Sequence, residues 1–246
     1  NNIGLGFVEL GTVTPKAQYG NEKPRVHRIS NDLAIVNHLG FNNKGVLYLK
    51  NKLEYFERKI PIGINVGKNA STSIESAYED YNYCIKEIYS SSDYITLNIS
   101  SPNTTDLRVL HAKKYLNDFL YKVKRNCDQL SKKNKKSVPI LLKISPDHPE
   151  DKIEELCKII DIYEIQGVIL TNTSVDKSLL STRKHDATNG GVSGRPLSKK
   201  STKMIEVCRK FLHKDTVIIG CGGIVSKSSA DEKLKAGANL LQVYTG

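Results

Sequence analysis

The segment Asn98-Ile-Ser-Ser-Pro-Asn-Thr104 sets two amides and three hydroxyls within seven residues. It follows the apolar run Tyr94-Ile-Thr-Leu97, which places it where a buried strand meets its loop. Amides and hydroxyls clustered in this way hydrogen-bond a small polar ring from several sides, and a hydroxyl among them can move a proton. A polar turn leaving the strand would draw on the same residue types, because Asn, Ser and Pro favour turns and Pro102 fixes its own φ. The segment by itself leaves both readings open.

Lys143 interrupts the apolar run Pro139-Ile-Leu-Leu-Lys-Ile144. Burying an unpaired ammonium is costly, so this side chain must face an anionic or electron-rich group. Asp147 is a candidate within the protein itself. Asn37-His-Leu-Gly-Phe-Asn42 adds two more amides around a glycine turn. Two glycine-rich runs come late, Asn189-Gly-Gly-Val-Ser-Gly194 and Gly220-Cys-Gly-Gly223. Glycine lets backbone N–H groups approach a phosphate closely, although plain structural turns use it too. Neither run is Gly-x-Gly-x-x-Gly, so no dinucleotide fingerprint is present. Amides, one buried cation and a phosphate cradle together suit a flavin mononucleotide (FMN). Its ring needs neutral donors and acceptors, plus a cation near the edge that gains negative charge on reduction.

Seven short apolar stretches read as the strands that carry these groups: Gly6-Phe-Val-Glu-Leu10, Pro61-Ile-Gly-Ile64, Tyr94-Ile-Thr-Leu97, Pro139-Ile-Leu-Leu142, Gly167-Val-Ile-Leu170, Thr216-Val-Ile-Ile219 and Leu240-Leu-Gln-Val243. Between them, stretches 73–89, 112–130 and 151–163 repeat apolar residues at helical spacing. Apolar strands separated by helices indicate a parallel sheet covered by helices, either doubly wound or closed as a (β/α)8 barrel. Asn65, Asn98, Lys143 and Asn172 each close a strand. Polar side chains from many strands converge at the C-terminal mouth of a barrel, whereas an open sheet gathers its site at one switch point. The barrel is therefore favoured. Its phosphate pocket often lies after strands seven and eight, the places of Gly220–Gly223 and Tyr244-Thr-Gly246. Closure needs an eighth strand between the first and last of these seven. The expectation is one α/β domain over residues 1–246, a TIM barrel whose strand 1 and final helix lie outside the chain.

Composition narrows the partners. With 39 % hydrophobic residues over 246, a packed core is feasible, and no apolar run approaches the ~20 residues of a membrane span. The start, Asn1-Asn-Ile-Gly-Leu-Gly-Phe7, lacks the pattern of a signal peptide. A net charge of +11 favours anionic partners. Its lysine clusters, such as Lys132-Lys133-Asn134-Lys135-Lys136, have no interleaved aromatics and read as a solvated face, not a nucleic-acid stripe. Five widely spaced cysteines suggest free thiols in a reducing compartment. Six scattered histidines offer no metal-ligand spacing, so no metal is expected.

Taken in order, the motifs Gly11-Thr-Val-Thr-Pro15, Asn37-His-Leu-Gly-Phe-Asn42, Asn65-Val-Gly-Lys-Asn69, Asn98-Ile-Ser-Ser-Pro-Asn-Thr104, Lys143-Ile-Ser-Pro-Asp147, Thr171-Asn-Thr173, Gly190-Gly-Val-Ser-Gly194, Cys221-Gly-Gly223 and Tyr244-Thr245 resemble those of dihydroorotate dehydrogenase. This is the flavin enzyme family of pyrimidine (UMP) biosynthesis, and the similarity runs from Gly6 to Gly246. Soluble members carry Cys where this chain has Ser101. A serine there is similar to class 2, the membrane-associated, quinone-reducing branch. The resemblance implies oxidation of dihydroorotate to orotate, with FMN as hydride acceptor and quinone as final acceptor. It implies that Ser101 takes the substrate C5 proton while the C6 hydride goes to flavin N5. A serine hydroxyl is a poor base near neutral pH and needs a relay, for which Thr104 and a water are the family's candidates. Lys143 would stabilise negative charge on the reduced ring. By the same resemblance Asn37, Phe41, Asn98, Asn103, Asn172 and Thr173 meet the substrate. Thr12, Asn65, Asn98, Lys143, Thr171, Gly194, Gly223, Tyr244 and Thr245 meet the flavin, and Arg28 and Tyr244 line the quinone side.

The family's amphipathic N-terminal helices, and its Ala-Gly-Phe-Asp-Lys strand, are expected outside this chain. Through those helices the protein would sit peripherally on the inner face of a bacterial cytoplasmic membrane, or on the mitochondrial inner membrane of a eukaryote. Thr105-Asp106 departs from the family, which usually has Pro or Ala and then Gly in this substrate loop. Two rival readings are an FMN barrel acting on tRNA uridine, for which the expected cysteine is absent at position 101, and a non-catalytic barrel fragment.

Overall fold

The computed structural model describes residues 4–182 and 188–245. In chain order its elements are β1 (Val8–Val13), β2 (Val26–Ile29), β3 (Ala34–Asn37), α1 (Val46–Glu54), β4 (Ile62–Val66), α2 (Ala77–Ile88), β5 (Tyr94–Asn98), α3 (Lys113–Asn134), β6 (Ile140–Ile144), α4 (Ile153–Ile162), β7 (Gly167–Leu170), β8 (Gly191–Gly194), α5 (Ser198–Phe211), β9 (Val217–Cys221), α6 (Lys227–Lys235) and β10 (Leu240–Gln242). The seven strands expected from the apolar runs form one parallel sheet in the order β1-β4-β5-β6-β7-β9-β10. The sheet is the curled wall of a (β/α)8 barrel. Among the described residues its edges, β1 and β10, do not pair with each other.

Alternation along each strand sorts the side chains into two layers. Ile62, Ile64, Val66, Ile95, Leu97, Ile140, Leu142, Ile144, Val168, Leu170 and Ile218 face outward and pack against the apolar stripes of the helices in one large core. The helices contribute residues such as Tyr81, Ile85, Leu116, Phe119, Leu156, Ile160 and Ile205, each recurring at helical spacing. The opposite phase faces the barrel interior. Leu141, Ile169, Ile219 and Cys221 form a small apolar plug there, with Phe7, Tyr94 and Val217 against it. In the same phase stand Glu9, Asn65, Thr96, Asn98 and Lys143. Pairing puts Asn65 beside Thr96 and Asn98 beside Lys143 across neighbouring strands.

A second sheet was not legible in the apolar runs. β2, β3 and β8 form an antiparallel sheet in that order over a separate core of Ile29, Ala34, Val36, Leu180 and Val192. The glycine-rich run 189–194 is thus corrected from a turn to a strand over most of its length. Gly191–Gly194 pairs with Ala34–Asn37, because glycines permit the close approach that β3 requires. Helix boundaries shift as well. α2 begins at Ala77, after a turn in which the Ala77 N–H donates to the Ile74 carbonyl at 3.2 Å. α3 runs past position 130 to Asn134 and stops at Lys135, whose φ is +50°.

Candidate active site

The strands' C-terminal ends open into a cavity of about 510 Å³, inside the ~300–1,000 Å³ range usual for cofactor and ligand sites. Every residue assigned to the site by resemblance lines it except Thr104 and Arg28. Arg28 lies outside this lining and stands exposed on β2, because the side chains of that strand alternate between the small core and solvent. Thr104 is buried just behind the lining, and its Oγ1 has no hydrogen-bond partner. Tyr244 lies at the rim, 80 % exposed.

At one end of the cavity four amides come together, two from strand ends (β3 and β5) and two from loops. Asn98, at the end of β5, accepts at Oδ1 from the Ser100 N–H (3.3 Å), the Ser100 hydroxyl (3.2 Å) and Asn172 Nδ2 (3.2 Å). Asn172 Oδ1 accepts from the Thr173 N–H at 2.7 Å. Asn103 donates through Nδ2 to the Asn37 side chain and carbonyl, both at 3.1 Å. Asn103 also donates its N–H to Ser101 Oγ at 3.2 Å. That bond orients the buried Ser101 hydroxyl, which is 5 % exposed. Thr173 Oγ1 is buried without a partner at the cavity wall. A buried orphan hydroxyl is costly in isolation and marks a place for a ligand.

Deeper in the barrel, Thr12 Oγ1 donates to Asn65 Oδ1 at 2.6 Å and accepts from Asn98 Nδ2 at 3.0 Å. Lys143 does not reach Asp147, the partner considered from sequence. Its Nζ donates to Gln242 Oε1 at 3.2 Å and lies 3.9 Å from Glu9 Oε1. Glu9 was not singled out as a site residue, because one acidic residue in an apolar run leaves its facing strand unspecified.

Asp147 serves another purpose, also absent from the sequence reading. It accepts from Arg108 Nη1 at 2.9 Å, Lys200 Nζ at 2.6 Å and the Val175 N–H at 2.9 Å. Burial pushes its carboxyl up, but the bonds from Lys200, Ser174 and Val175 outweigh this and hold it below the usual range. Arg108 further donates to the carbonyls of Ser100 (3.0 Å) and Thr173 (2.9 Å). One guanidinium thereby ties the loop carrying Ser101 to the loop carrying Thr173. Asp106, where the family pattern has Gly, takes φ +56°. The left-handed conformation is kept at a cost of roughly 1 kcal/mol, since Asp tolerates it better than most residues.

These residues fit a flavin mononucleotide. The cavity offers amide donors and acceptors, an ammonium on the floor, an orphan hydroxyl, and the loop Cys221–Gly223, where Gly222 and Gly223 have φ of +108° and +72°. The free thiol of Cys221 lies in the same wall, its pKa raised by burial.

Comparison with known proteins agrees with this geometry. The family model for dihydroorotate dehydrogenase matches residues 1–246. A dihydroorotate dehydrogenase (quinone) of Vibrio vulnificus is 45 % identical over 244 residues, covering 99 % of this chain and 73 % of that protein. Its counterpart from Buchnera aphidicola is 46 % identical over 246 residues, with 73 % of that protein covered. The crystal structure of the Eimeria tenella enzyme in complex with ferulenol superposes with a TM-score of 0.91 at 32 % identity, over 99 % of this chain and 70 % of that one. A ligand-free structure from the same organism gives a TM-score of 0.88 at 32 % identity. On this likeness, and with a serine at position 101, the chain belongs to the dihydroorotate dehydrogenase family, in its class 2 branch.

Proposed function

We propose that this protein oxidises dihydroorotate to orotate in pyrimidine (UMP) biosynthesis, with FMN as the immediate acceptor and a membrane quinone as the final one. The observation that carries the reading is the shared cavity: Ser101, four asparagines and Lys143 line one wall-to-wall space at the barrel mouth. When bound, the flavin supplies a two-electron acceptor for the hydrogen that leaves substrate C6 with its electron pair.

The chain's own residues do the rest. Ser101 Oγ takes the C5 proton while the Asn103 N–H holds its oxygen in place. Thr104, with its unpartnered buried hydroxyl, is the next acceptor through a water. Asn37, Asn98, Asn103 and Asn172 present amide groups to the polar edge of the pyrimidine, and Phe41 and Thr173 close around it. Lys143 sets a cation where negative charge accumulates, which a site shielded from water makes effective. Thr12, Asn65 and Thr171 would hold the flavin ring, and Gly194, Gly223, Tyr244 and Thr245 would hold its phosphate side. Exposed Tyr244, with Arg28 further out on β2, faces the side from which quinone would approach. Among the described residues no helix is long and apolar enough to cross a membrane. Attachment is proposed as peripheral, on the bacterial cytoplasmic membrane or the mitochondrial inner membrane.

Stopped-flow reduction of the flavin by dihydroorotate tests this reading. Ser101→Ala should slow reduction at neutral pH by ~10²–10⁴ and leave the flavin bound. Unchanged reduction would refute the base assignment, and a wild-type protein that takes up no flavin would refute the reading as a whole.

A further inference from the structure

Glu9 has no role in the reaction as written above, yet it is a confined charge in the cavity wall. Its side chain is 8 % exposed. Oε2 accepts from Thr96 Oγ1 at 2.7 Å and Oε1 from Asn65 Nδ2 at 2.9 Å. Of the described residues lining the cavity, only Glu9 and Lys143 carry charge. Their 3.9 Å separation makes an ion pair without a direct hydrogen bond. Lys143 spends one hydrogen on Gln242 and keeps the others for the cavity.

The hydrogen-bond sense around Glu9 is one-way. The Ser100 N–H fixes Asn98 with Oδ1 as acceptor, so Asn98 Nδ2 donates to Thr12. The Thr12 hydroxyl then donates to Asn65 Oδ1, and Asn65 Nδ2 donates onward. A run of donors needs a terminal acceptor, and Glu9 supplies it. A glutamine could also end this run with its carbonyl oxygen. The carboxylate therefore brings something beyond acceptance, namely a negative charge facing Lys143 in a region of low dielectric.

We propose that Glu9 is a positioning residue for Lys143, anchoring its ammonium on the cavity floor and offsetting its charge, so that the pair sets the reduction potential of the bound flavin. The proposal rests on the FMN reading above and deepens it. Lys143 alone favours added electrons nearby, and Glu9 opposes that pull. Without Glu9 the site over-stabilises the reduced cofactor, which speeds its filling but slows delivery to the next acceptor.

The test is the potential of the flavin-loaded full-length protein, measured by equilibration with a redox dye. Glu9→Gln should raise the equilibrium constant for reduction at least tenfold, about +30 mV for a two-electron couple. Lys143→Met should move it the other way, and the double variant should return towards wild type. Glu9→Asp, which draws the charge back while keeping it, should give a smaller rise and serves if the glutamine variant does not fold. Thr96→Val, which removes a bond but no charge, should leave the potential in place. An unchanged or lowered potential in both Glu9 variants overturns the proposal. So does a shift in Thr96→Val as large as in Glu9→Gln, since Glu9 would then act as a structural hydrogen-bond partner only. Wild-type protein that binds no flavin overturns the FMN reading itself, and this inference with it, which keeps the two failures apart.

Discussion

His111 should make the fold sensitive to mild acid. The ring ends the short 3-10 turn Leu107–His111 and is buried. Its Nδ1 faces the Arg108 carbonyl at 3.1 Å and its Nε2 faces the Ser145 N–H at 3.4 Å. The first must therefore be a donor and the second an acceptor, which is the neutral tautomer. Protonation would set two donors against each other. Burial, with the neighbouring His148 ring and the Arg108 charge, pushes the pKa down to about 3. The unfolded chain takes up that proton near pH ~6.5. Between these values the unfolded state binds a proton that the folded state refuses, so stability is full above pH ~6.5 and falls as the pH falls. From pH 7 to pH 5 the loss is about 2 kcal/mol, at ~1.36 kcal/mol per unit below the unfolded pKa. The carboxyls of Asp32, Asp147, Asp176 and Glu155 are held below their ordinary values, so they begin to cost stability only at lower pH. His148, lowered by burial, adds a loss of the same sign. His111→Asn removes the His111 part alone. Urea unfolding of wild type and variant at fixed flavin concentration should show wild type losing about 2 kcal/mol more across this interval. Parallel pH profiles, within about 0.5 kcal/mol, would refute the reasoning.

Two further outcomes follow from the loops around the substrate end. Arg108→Lys replaces three donating nitrogens by one, so at least one of the Asp147, Ser100 and Thr173 contacts must be lost. Charged hydrogen bonds are worth about 1.5–3 kcal/mol each, so the variant should lose at least that much in urea unfolding and show a raised KM for dihydroorotate. Gly191→Ala would bring a Cβ to 1.9 Å from Thr173 Oγ1. It should displace that hydroxyl and weaken orotate binding at least tenfold in a flavin absorbance titration, with flavin content unchanged.

Much of this protein was legible in its residue order. The seven apolar runs gave the parallel strands because strands buried on both faces need apolar residues at nearly every position, and that pattern survives without knowledge of neighbours. Asn65, Asn98, Lys143 and Asn172 could be placed at one barrel mouth because every parallel strand points its C-terminal end the same way. The antiparallel sheet β2-β3-β8 was not legible. Its strands are short and four residues long, and its third strand is glycine-rich and lies far along the chain from β3, so no local period announces it. For the same reason residue order did not show that Arg28 stands exposed on β2, outside the cavity lining. Residue order determined which groups stand at strand ends; tertiary structure alone decided which groups meet. Lys143 found Glu9 and Gln242 instead of Asp147, four residues away, because β6 is a strand and its next loop leads Asp147 off to Arg108 and Lys200. Pairing between distant side chains depends on strand register and barrel curvature, and neither is written in the spacing of any one segment.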